Sequence, residues 1–203
     1  SGTQCISGSC LGFDGVNDYL EAQDSASLNI SGNQLTLTTW VYNTDNSQHH
    51  IAIAKPFSAT AHVSPFFSYS LHVLDNAGTD GTPRFYLTLN NAVNSVSSSE
   101  NIIQNTWYHL AGVYDGTALR IYVNGVLRGT AAASGNITGY ATPLRLGTNG
   151  GLSEVWNGRL DDVRIYNQAL TQSEIQSLMS GVTPPPSLPI LSITANDATA
   201  GEP

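Results

Sequence analysis

Lysine occurs once in this 203-residue chain, at Lys55, and lysine and arginine together number seven against fifteen acidic residues. The formal net charge of −8 leaves no basic stripe to neutralise a phosphate backbone, so nucleic acid is excluded as a partner. Long apolar runs are also missing. None approaches the roughly 18 residues of a membrane helix, and no membrane insertion is expected. The opening SGTQ lacks the charged and apolar segments of a signal peptide, and the chain reads as a piece excised from a longer protein. Cysteine is scarce, with only Cys5 and Cys10, which flank a Gly/Ser loop. In an oxidising compartment they close a small disulfide ring, although so short a loop can strain the bridge. No second Cys/His pair stands at zinc-ligand spacing.

Hydrophobic residues make up 40% of the chain and charged residues only 11%, with Gly, Ser, Thr, Asn and Asp between them. Such a profile belongs to many short strands joined by tight turns, at a length suited to one sandwich domain. Alternation confirms the strand period. Leu35, Leu37, Thr39 and Val41 share one face, leaving Trp40 and Tyr42 on the other. Tyr69, Leu71 and Val73 oppose Ser70 and His72, and Phe85, Leu87 and Leu89 oppose Tyr86, Thr88 and Asn90. Asp115-Gly116 and Asn124-Gly125 are hairpin-turn dipeptides. One helix is expected in LTQSEIQSLMSG, where Thr171 and Glu174 have capping-box spacing, Ile175, Leu178 and Met179 form an apolar stripe, and Gly181 stops it. The expected architecture is therefore all-β, a two-sheet antiparallel sandwich over residues 1–182 with one short C-terminal helix. TPPPSLP, at 183–189, reads as an extended linker. Residues 190–203 read as the first strand of a further module.

Five motifs occur in order: LGFDGVNDYLEA, LTLTTWVY, TWYHLAGVYDGTALRIYVNGV, PLRLGTNGG and WNGRLDDVRIYNQALTQSEI. Together they resemble the LamG-like jelly-roll domains (laminin G type 3) of the concanavalin A-like lectin/glucanase superfamily. The 190–203 segment is similar to the opening of Calx-β domains. The resemblance implies a jelly roll of two curved sheets, a structural calcium ion in many members, and a face that often binds glycans or proteins.

Calcium takes about six to eight oxygen ligands in irregular geometry. Asp14, Gly15 (through nearby backbone carbonyls), Asn17 and Asp18 offer part of such a shell, and the resemblance places the second acidic pair, Asp161-Asp162, near them. Neighbouring strand residues point to opposite faces. Only a bulge would let both acids act together, and one is expected to pair with Arg159 or Arg164 or to be solvated. The expectation is a Ca2+ clasp joining the two ends of the jelly roll.

No Glu-x-Asp-x-Glu run and no G-x-S-x-G is present, so the domain itself is expected to be non-catalytic. Tyr69, His72 and Arg84 only loosely fit the cast of a polysaccharide lyase. Sugar recognition instead combines rings with amides and guanidinium groups, and the candidates are Tyr42, His72, Arg84, Tyr86 and Asn90 on strands, with His49, His50 and Trp156 in loops. The leading expectation is a calcium-stabilised, monomeric carbohydrate-binding module of a secreted or cell-surface multidomain protein, directing it to a polysaccharide. A protein-binding, adhesion or structural module is the alternative, and a polysaccharide-degrading enzyme the third.

Overall fold

The computed structural model describes residues 5–6, 8–45, 48–75, 80–181 and 188–193. Fourteen strands and one helix follow in order among them: β1 (Leu11–Asp14), β2 (Leu20–Ala22), β3 (Leu35–Asn43), β4 (His50–Pro56), β5 (Phe67–Asp75), β6 (Asp80–Leu89) and β7 (Ala92–Ser97). They continue with β8 (Ile102–Ile103), β9 (Trp107–Tyr114), β10 (Ala118–Val123), β11 (Val126–Ala132), β12 (Leu144–Leu146), β13 (Asn157–Tyr166), α1 (Gln172–Met179) and β14 (Leu191–Ile193). The first sheet runs β1-β13-β3-β9-β10-β11, and the second β2-β12-β4-β5-β6-β7 with β8 beside β6. All pairings are antiparallel. The expected all-β jelly-roll sandwich is the observed fold.

Period-2 alternation decides which residues lie between the sheets. Leu35, Leu37 and Val41 meet Tyr69, Leu71, Val73, Phe85, Leu87 and Leu89 in one continuous core. The sheets pack closely where Gly112 faces Phe85, since a Cβ on Gly112 would lie 2.5 Å from the Phe85 ring. Turn chemistry then sets the register. Asn124 and Gly125, both at positive φ (49° and 72°), close the two-residue β10–β11 hairpin, whose twist suits such a turn.

The helix starts where its capping box predicts. The Thr171 hydroxyl accepts from the Glu174 N–H, and the Glu174 carboxylate accepts from the Thr171 N–H at 2.7 Å. Ile175 and Leu178 turn inward onto Ala111, Val113, Tyr122 and Tyr166, so the helix covers part of the outward face of the first sheet.

Strand β13 organises both ends of the chain. One of its edges pairs with β3, while the other takes β1 along Asn157–Leu160 and β14 along Val163–Ile165. At the junction of these two stretches two residues of β13, Asp162 and Val163, oppose one of β3, Thr39, and the extra residue, Asp162, sits at φ 54°. A bulge of this kind lets one strand change its partner without breaking the sheet. Residues 183–187 of the linker expected at 183–189, and the tail beyond Ile193, fall outside the described residues, but Leu191–Ile193 itself extends this sheet. Cys5 and Cys10, just ahead of β1, are disulfide-bonded.

Ile190, Leu191 and Ile193 rest partly buried on the core. Cutting the chain after Gly181 should uncover that edge and cost roughly 2 kcal/mol, the value expected for half-burial of a few aliphatic side chains. Urea denaturation of the two lengths would measure it, and an unchanged midpoint would mean that β14 contributes nothing to the domain.

Candidate functional site

With Phe85 and Leu87 pointing into the core, their neighbours on β6 point out, and the register aligns them in two rows across the second sheet. One row is Ser97, Arg84, His72 and Ile51, on β7, β6, β5 and β4. The next is Ser95, Tyr86, Ser70, Ala54, Arg145 and Glu21. The two ends of these rows differ in cover.

Over β4 and β12 lie the loops 57–66 and 147–156. Arg145, 6% exposed, secures them: Nε donates to Glu21 at 3.0 Å, Nη1 to the Asn149 and Gly150 carbonyls at 2.9 and 3.0 Å, and Nη2 to the Ala59 carbonyl at 3.0 Å. Gly150 allows the loops to touch, because a Cβ there would fall 1.8 Å from the Ser58 carbonyl oxygen. Asn149 closes the second loop, accepting from the Gly151 N–H at 2.8 Å and donating to Glu154 at 3.2 Å. The side chains of the loops then form a wall, with His62 Nε2 3.9 Å from the Glu154 carboxylate and its ring 4.9 Å from Phe66.

Beyond that wall β5, β6 and β7 form an open floor. Val93 and Ser95 are exposed there, and Arg84, Tyr86 and Ser97 are half-buried. The Tyr86 ring lies 4.9 Å from His72, and Phe67 meets His72 edge-on at 4.9 Å. Arg84 stands over Tyr86 at 5.7 Å, donating from Nη1 to the tyrosine hydroxyl at 3.2 Å and from Nε to Ser97 Oγ at 2.8 Å. The floor thus presents an aromatic surface edged by hydroxyls and a guanidinium.

Of the eight residues expected to meet a ligand, His72, Arg84 and Tyr86 come together, while the exposed His49 accepts at Nδ1 from the N–H of Asp75, at the end of β5, at 3.0 Å. The other four fall elsewhere. Trp156 is fully buried in the core, and its backbone N–H donates to the Gly147 carbonyl at 2.7 Å. His50 is buried beside it, with Nδ1 2.6 Å from the Val155 carbonyl. Asn90 is a turn residue at φ 47° whose side chain accepts from the Asn136 N–H at 3.2 Å. Tyr42 belongs to the outward face of the other sheet, against Trp107. His62, Phe66 and Glu154 complete the wall and were missed, because only the folding of two distant loops brings them to the sheet. Tyr69 and His72, the loose lyase pair, occupy opposite faces of β5, and the Tyr69 hydroxyl donates to the Leu28 carbonyl at 2.9 Å.

The acids expected to form a clasp divide into two places. β1 does lie against β13, but the register sets Asp14 opposite Asn157, whereas Asp161 is opposite Trp40 on β3. Asp14 Oδ1 accepts from the N–H groups of Val16 and Asn17 at 2.7 and 3.2 Å, and Asp18 accepts from the Asp14 N–H at 2.9 Å. Those backbone donors hold the Asp14 carboxyl below its ordinary pKa. Gly15 turns here at φ 77°, and the exposed Asn17 follows it. Asp162, set out by the bulge, pairs with Arg164 at 2.7 Å. Among the described residues no three His, Cys, Asp or Glu side chains converge as a metal cluster.

Two buried histidines carry a pH consequence. Burial pushes His72 and His109 down to about 3, with positive neighbours adding to it: His62, Arg84 and His49 for His72, and Arg164 for His109. An unfolded chain takes up these protons near pH 6.5, while the folded one does not until about pH 3. Their stabilisation is therefore complete above about pH 6.5 and is lost as the pH falls towards 3, by up to about 1.4 kcal/mol per pH unit per histidine. Urea denaturation between pH 7 and 4 should show this fall, and His109→Gln should flatten it. An equal slope in that variant would refute the assignment.

The Laminin_G_3 pattern, of the concanavalin A-like lectin/glucanases superfamily, matches residues 14–176. Mouse pappalysin-1 is 24% identical over 182 residues, a match covering 83% of this chain and 11% of that protein. The chain thus spans about a tenth of the length of the curated relative it matches. In structure it is similar to a putative carbohydrate-binding protein from Bacteroides ovatus, at a TM-score of 0.70 and 15% identity, covering 96% of this chain and 53% of the other. It is also similar to domain 4 of AbnA, an extracellular arabinanase from Geobacillus stearothermophilus solved with arabinotriose, at a TM-score of 0.60 and 23% identity, covering 78% and 71%. At these identities the structural likeness is one of fold.

Proposed function

The chain belongs to the Laminin_G_3 family of the concanavalin A-like lectin/glucanases superfamily, and from that premise we propose a non-catalytic carbohydrate-binding module of an extracellular multidomain protein, with the open half of the second sheet as its sugar site. The observation that carries the proposal is the half-buried Tyr86, held against His72 and Phe67 and edged by Arg84, Ser95 and Ser97. An immobile ring gives the apolar face of a pyranose or furanose a surface, and the surrounding donors and hydroxyls meet its hydroxyl groups. The Bacteroides structure, of a putative carbohydrate-binding protein, and the Geobacillus domain, complexed with arabinotriose, support a sugar as partner.

A non-catalytic role follows from where the carboxylates are spent. Glycoside hydrolysis needs two of them flanking the scissile bond. At this face Glu21 is bound to Arg145, and Glu154 to Asn149 on the loop wall. The Cys5–Cys10 disulfide supports an oxidising, extracellular setting. A glycan array of plant, algal and microbial polysaccharides tests the sugar site. Binding is expected, and Tyr86→Ala should weaken it tenfold or more, about 1.4 kcal/mol. Folded protein that binds no glycan, or a variant that binds as well as the parent, would overturn the reading.

Calcium is a separate part of the proposal and is confined to the β1–β2 turn. Asp14, Asp18, Asn157 and Thr44 line a cavity of about 410 Å³ and supply oxygen donors of the kind Ca2+ takes, whereas Asp161 and Asp162 do not face it. The ion would tie the turn to the start of β13 and stabilise the folded state by mass action. Chelation with EDTA should then lower the melting temperature, with recovery on adding CaCl2. An identical melting curve in both would remove calcium from the account.

A further inference from the structure

Five of the seven cationic side chains form ion pairs: Lys55 with Asp24, Arg120 with Asp115, Arg128 with Glu100, Arg145 with Glu21 and Arg164 with Asp162. Arg84 is different. Its partners are two hydroxyls, Ser97 Oγ and Tyr86 Oη, and it enters no ion pair among the described residues. In a chain of net charge −8, with fifteen carboxylates available, a half-buried guanidinium without one stands out.

The hydrogen-bond count gives this charge a direction. Guanidinium has five N–H donors, of which Nε spends one on Ser97 and Nη1 one on Tyr86. One N–H on Nη1 and both on Nη2 are left over. They are donors of the kind that meet the oxygens of a carboxylate. The two hydroxyl bonds and the Tyr86 ring hold the guanidinium in place, so that little side-chain entropy is left to lose on binding.

We propose that the sugar site is built for an acidic glycan, with Arg84 receiving the carboxylate of a uronic acid residue whose ring lies along Tyr86. The inference rests on the sugar-site reading above and names the class of ligand. Two acids stand on this side of the sheet: Asp80, four residues and about 13 Å along β6 from Arg84, bonds Asn101 instead, and Glu154 belongs to the wall. Along the row of the sheet, two strand spacings, about 10 Å, separate Arg84 from Ile51, and the carbonyl that Ile51 bonds belongs to Glu154, further out on the wall. At that separation salt screens most of the repulsion, whereas the Arg84 contact is direct and charge-assisted.

Polygalacturonate, alginate and glucuronoxylan, set beside arabinan, galactan and xylan on affinity gels, would show the preference, and calorimetry on polygalacturonate before and after chemical reduction of its carboxyl groups would measure it. The acidic members should bind more tightly, with carboxyl reduction costing tenfold or more. Arg84→Gln should bring the acidic ligand down to the level of its reduced form without changing the melting temperature. Arg84→Lys, which keeps the charge but not the fork, should fall between them. Neutral glycans bound equally well, or an Arg84→Gln variant that keeps the preference, would overturn the acidic assignment and leave the sugar site standing. Binding to no member at all would overturn the sugar site and this inference with it.

Discussion

Arg145 is the constraint on which the functional face depends. A guanidinium at 6% exposure is costly to bury unless its donors are met, and here its three nitrogens bond three different parts of the chain. Glu21 comes from β2, the Asn149 and Gly150 carbonyls from the loop after β12, and the Ala59 carbonyl from the loop after β4. Satisfying one buried charge therefore folds both loops over the same half of the second sheet. The other half is left open because no comparable charge draws cover onto it. The floor with Tyr86 and Arg84 is what that one-sided arrangement leaves.

The outward faces of the two sheets are used in different ways. On the first, α1 builds a small second core over Ala111, Val113, Tyr122 and Tyr166, next to the cross-strand pairs Trp40–His109 and Tyr42–Trp107. On the second, Ile51, Ala54 and Phe67 form a cluster that Phe66 and Tyr86 border. The first face is finished by a helix and serves stability. The second has an aromatic cluster with one open side, which is why the buried His72 matters to the floor: held neutral, it supports Tyr86 as an apolar ring would.

The chain ends meet as the five ordered motifs implied, yet the meeting point differs from the one expected for the acids. Asp14 faces Asn157 because the β1–β13 register begins at Leu11 opposite Leu160. Asp161 then lies beyond the start of β1, and the bulge sends Asp162 to Arg164. A register difference of a few residues is invisible in the motifs themselves, and it separates two acidic groups that look like halves of one site.

Local chemistry made much of the fold legible. Alternation along Leu35–Val41, Tyr69–Val73 and Phe85–Leu89 identified the core faces, Asn124-Gly125 identified a hairpin, and the Thr171–Glu174 spacing identified the helix start. The candidate site was legible only where it lies on strands: Tyr86, His72 and Arg84 follow from parity, whereas Trp156 and His50 were misplaced and His62, Phe66 and Glu154 unseen. By itself the sequence determined strand faces, turns and caps, because these depend on neighbours within a few residues. The tertiary structure alone decided which loop side chains reach the sheet, which tryptophan is buried, and which arginine bonds hydroxyls in place of a carboxylate among the described residues, because each of those depends on contacts between segments far apart in the chain.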